Sequence, residues 1–124
     1  MKPIAEIREL LITSCQKAQD EGWEFINTNF LSSDNKRCCP IMAIAIYMGY
    51  DTSKKGTDEY QEEEWIVMVK NAIGQEPSDP SAFRQDSWND IWQGYDGTAE
   101  ENRDLELYKL GREIRQLFPA YWEK

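Results

Sequence analysis

A chain of 124 residues with 40% hydrophobic and 30% charged side chains has the make-up of one soluble globular domain, able to fold without disulfides or metal. The net charge is −9, and residues 57–104 hold three basic and 13 acidic residues, which excludes direct binding to nucleic acid or an anionic membrane through bulk electrostatics. Histidine is absent, which removes Ser–His and Cys–His catalysis, histidine metal ligands and the HExxH class.

Residues 3–19 read as an amphipathic helix, with Ile4, Ile7, Leu10, Leu11, Cys15 and Ala18 at helical spacing and Gly22 as its stop. Trp23, Phe25, Ile26 and Phe30 follow, as a short helix or an irregular aromatic connection, and Ser32 to Arg37 form a polar loop. The uncharged run from Cys38 to Tyr50 then organises the chain. Pro40 suits a first helical turn, Cys39 before it is pushed out of α geometry, and Gly49 is a left-handed stop. Ile41 to Met48 show no polar face, so residues 40–49 read as a buried central helix; a buried strand is the rival, favoured by the three isoleucines.

Asp51 to Gly56 form a loop. Thr57 or Asp58 caps a third helix that runs to Ile73, buried through Trp65, Met68, Val69, Ala72 and Ile73. Asp79-Pro80 starts a fourth helix, with Phe83, Ser87, Trp88, Ile91 and Trp92 inside and Gly94 as its stop. After the turn Tyr95-Asp96-Gly97, a fifth helix runs from Thr98 or Ala99 to Phe118, where Pro119 ends it. Gly111 inside it costs about 1 kcal/mol against Ala and marks a close helix crossing. No segment shows strand alternation, so the expected fold is all-α: about five helices in one domain, 1–124. Ile46 to Thr52 echoes Ile91 to Thr98, as one capping solution used twice or as a duplicated helix pair.

Four features bear on function. Cys38 and Cys39 stand at a helix N-terminus beside Arg37, where a thiolate can be favoured; the plainer reading is small residues filling the core. Three cysteines, two adjacent, with no CxxC and no signal peptide, predict a reducing cytoplasm. Counting an EF-hand from Asp51 puts Ser53, Gly56, Thr57, Glu59 and Glu62 at positions 3, 6, 7, 9 and 12, but Lys55 and Asp58 occupy positions 5 and 8 wrongly. No metal or other cofactor is therefore expected. The acidic stretch, including Glu59, Glu62, Glu63 and Asp90, reads as solvated helix starts or as a docking face for a basic protein. Tyr121 and Trp122, beyond the last helix, are the aromatics expected to be exposed and to anchor an interface.

Cys38-Cys39-Pro40, Trp92-Gln93-Gly94-Tyr95-Asp96-Gly97 and Tyr108-Lys109-Leu110-Gly111-Arg112 together resemble a pattern in a family of small uncharacterised bacterial proteins, cyanobacterial ones among them. The resemblance spans about two-thirds of the chain through short motifs and carries no activity with it. It implies a shared fold in which Gly94, Asp96, Gly97 and Arg112 meet as a structural turn, with Asp96, Gly97 and Arg112 forming a clasp. The expectation is a non-enzymatic module acting through protein contact, with an acidic inhibitor or nucleic-acid mimic, or a calcium- or thiol-dependent module, as alternatives.

Overall fold

The computed structural model describes residues 2–27, 29–54, 62–74 and 87–123. These form α1 (Ile4–Asp20), β1 (Glu24–Phe25), β2 (Arg37–Cys38), α2 (Pro40–Tyr47), α3 (Glu62–Ile73), α4 (Ser87–Asp96) and α5 (Glu106–Leu117). Single 3-10 turns lie at Thr52–Lys54, Glu100–Asn102 and Tyr121–Glu123. The architecture is all-α, as the periodicity predicts. No helix among the described residues is long and apolar enough to cross a membrane.

The central helix forms as its sequence dictates. Cys39 is extended (φ −81°, ψ 163°), its Sγ accepts the Met42 N–H at 3.4 Å, and Pro40 is the first helical residue. Pro40 to Ala45 are buried without a break, and α2 packs on α1, α3 and α4. Burying each isoleucine contributes about 1.5–3 kcal/mol. The burial does not extend to Gly49 as expected: the helix ends at Tyr47, and Tyr47 and Met48 reach solvent, 40% and 48% exposed. Gly49 adopts the left-handed stop (φ 101°), which lets the Tyr50 N–H reach the Ala45 carbonyl at 2.9 Å and turns Tyr50 back into the core.

Around α2 the apolar stripes meet. From α1 come Ile7, Leu11, Cys15 and Ala18; from α3, Trp65, Val69, Ala72 and Ile73; from α5, Leu110 and Ile114. Phe30 lies among Trp65, Trp88 and Trp92, with ring centroids 4.9–5.9 Å away. The expected starts of the third and fourth helices, at Thr57 or Asp58 and at Asp79-Pro80, lie outside the described residues.

Three expectations are corrected. First, β1 and β2 pair in parallel, Glu24 with Arg37 and Phe25 with Cys38, and Leu31 bridges β2 in antiparallel fashion. Two-residue strands are too short to show alternation, so composition alone could not reveal them. Second, Gly94 does not stop α4. It lies inside the helix, because the missing side chain lets the Tyr108 backbone of α5 pass against it; Gly97 (φ 85°) makes the stop. The echo between Gly49 and Gly94 is therefore not a shared cap. Third, α5 begins at Glu106 rather than near Thr98, because Ala99 is left-handed (φ 52°) and interrupts the helical path. Gly111 does mark the close crossing, with the Ile91 carbonyl where a Cβ would be.

Candidate functional site

Cys38 and Cys39 are fully buried, as is Cys15, and none is disulfide-bonded. Desolvation pushes the Cys39 thiol up to about 12 and raises Cys38 and Cys15 as well. The helix N-terminus that could favour a thiolate is outweighed by loss of water, so these sulfurs stay protonated and act as packing, Cys39 also as a helix cap.

At the Asp51 loop, one carboxylate oxygen accepts the Ser53 N–H at 2.9 Å and the Ser53 hydroxyl at 2.6 Å. Asp51 and Ser53 thus satisfy each other in a local turn. Lys55, Gly56, Thr57, Asp58 and Glu59, and the side chain of Glu62, lie outside the described residues. Among the described residues no three metal-ligating side chains converge. Of the acidic docking candidates, Glu59 and the Glu63 side chain also lie outside the described residues, and Asp90 is half-buried on the first turn of α4.

The turn carried by Gly94, Asp96 and Gly97 is closed by a different arginine from the one expected. Arg112 is exposed, whereas Arg115, one turn later on α5, donates from Nη1 to the Tyr95 carbonyl at 2.5 Å. Helical spacing of three places the two arginines on neighbouring faces, and only Arg115 faces the end of α4.

Tyr121 and Trp122 are where the structure gathers most. Past α5, Phe118 and Ala120 are buried; the Phe118 ring meets Phe25 edge-on at 5.7 Å, and its carbonyl accepts the Tyr95 hydroxyl at 2.8 Å. The final turn therefore lies back over the β1–β2 pair. Glu123 takes three hydrogen bonds from Arg115, at 2.6–3.1 Å, and one from the Ala120 N–H at 3.2 Å. Arg115 holds the Glu123 carboxyl below its ordinary range. The Trp122 indole N–H donates to Asn27 at 3.1 Å, and the Arg115 guanidinium carbon lies 5.3 Å from its ring. Tyr121 lies under Arg37 at 3.9 Å, and Arg37 Nε contacts Glu24 at 3.4 Å.

The outcome is an aromatic surface that is both exposed and held. Tyr121 is 38% exposed and Trp122 58%, and Leu117, the last residue of α5, is 49% exposed. From sequence, the two aromatics were expected here, but Asn27, Arg37, Arg115 and Glu123 were not. The available signal was Pro119, which turns the chain and lets Glu123 return to an arginine on the preceding helix. Comparison with protein-family models, curated proteins and solved structures finds no match.

Proposed function

We propose that this protein is a non-enzymatic interaction module that docks a protein partner on the surface of Tyr121, Trp122 and Leu117. One observation carries the proposal: Trp122 is 58% exposed while its N–H is fixed on Asn27. A large ring held in place loses little freedom on binding, and such aromatics dominate interface energetics. The free, buried thiols agree with a reducing cytoplasmic setting.

The test is a pull-down from native lysate at low and high salt, with the wild-type chain and Trp122→Ala as baits. A partner retained at high salt and lost with Trp122→Ala is the expected result. A basic partner retained only at low salt and indifferent to Trp122 would move the function to the acidic 57–104 stretch.

A further inference from the structure

We infer that this surface selects a segment of another protein bearing an Asp or Glu side chain next to an apolar residue. The inference rests on the docking role proposed for Trp122. Its specific support is Arg37, whose guanidinium carbon lies 3.9 Å from the centre of the Tyr121 ring while only Nε is engaged, on Glu24 at 3.4 Å. Among the described residues, Nη1 and Nη2 make no hydrogen bond, and Asp34, whose charge Arg37 also feels, is held instead by the Ser32 hydroxyl and the Lys36 N–H. A guanidinium held on a ring offers its remaining N–H groups in a fixed plane, and that fork matches the two oxygens of a carboxylate. Arg115 cannot serve in the same way, because Nε, Nη1 and Nη2 are all committed to Glu123 and Tyr95.

Charge points the same way. The two carboxylates in direct contact with the arginines of this surface, Glu24 and Glu123, are paired with Arg37 and Arg115. The chain carries −9 in all, yet residues outside 57–104 net +1, and every residue of this surface lies there. The complementary partner places an apolar side chain on Trp122 and a carboxylate on Arg37.

The test uses the intact chain as bait for a random-peptide display library, with affinities then measured for recovered peptides and their Asp→Asn or Glu→Gln versions. The expected peptides carry an acid beside Leu, Ile, Phe or Trp. Neutralising that acid weakens binding about tenfold or more, and Arg37→Lys, which keeps the charge but loses the fork, does the same while the chain stays folded by circular dichroism. Peptides that need Trp122 but ignore the acid and Arg37 overturn the carboxylate inference and leave the docking role standing. Peptides indifferent to Trp122→Ala, or no recovered peptide, overturn both. Sedimentation run alongside checks for a second copy: self-association abolished by Arg37→Lys would make the chain's own acidic stretch the occupant, and would overturn the assignment to another protein.

Discussion

Helices α4 and α5 meet in two different ways along their length. At Gly94 and Gly111 backbone lies against backbone, and a Cβ at either position would overlap the opposing carbonyl. At the Tyr95 end, the two helices are joined by Arg115 and by the exposed final turn it holds. The first contact leaves no room for an added atom, and the second is built from side chains that water can replace. One helix pair thus separates the contact that carries folding from the surface proposed to carry recognition.

The largest effect should come from the glycine contact. Gly111→Ala must push the Ile91 and Tyr95 backbones away, and a loss of about 3 kcal/mol or more is expected in urea unfolding. Thiol labelling sharpens the contrast. In the intact protein Cys39, with a thiol pushed up to about 12, labels only as fast as the chain opens. Gly111→Ala should accelerate that labelling, and Trp122→Ala should leave it nearly unchanged. Fast labelling of the native protein would remove the buried-core reading of the Cys38-Cys39 pair.

Gly97→Ala is the intermediate case. Nothing within 4 Å obstructs a Cβ there, so only the left-handed backbone (φ 85°) opposes it, at about 1–2 kcal/mol in the same unfolding assay. If Gly97→Ala cost as much as Gly111→Ala, the close crossing would not be the dominant contact. Trp122→Ala comes next, with about 1 kcal/mol or less expected from the Asn27 hydrogen bond, despite the loss of partner binding.

The smallest effect is acid-dependent. Glu123 has its folded value lowered below the ordinary 4.5. Its contribution is therefore complete above about pH 4.5 and is lost as pH falls through the lower folded value. The melting difference between wild type and Glu123→Gln should stay constant down to that range and then close. A difference that widened in acid would contradict the Arg115–Glu123 pairing.

Much of the fold was legible because local chemistry and packing agree. Pro40 after Cys39, the spacing of Ile7, Leu11 and Cys15, and the break at Pro119 each point to one outcome. Gly94 was misread because a glycine that ends a helix and one that lets another backbone pass look alike in sequence. The β1–β2 pair was hidden because strands of two residues show no period, and their partner lies more than ten residues away. The site was half legible. The sequence placed Tyr121 and Trp122 outside the last helix, but which arginines would stack on them depends on how the final turn lies over the strands.

The burial of α2 also sets the order in which amide protons exchange with solvent. Tyr47 and Met48 mark the one end of the helix open to water, while Ile44 and Ala45 are wholly enclosed. Amides near the open end can exchange through fraying, whereas those of the enclosed turn exchange only when α1, α3 and α4 all come away. The slowest protons of α2 therefore report the global stability of the protein directly, without denaturant.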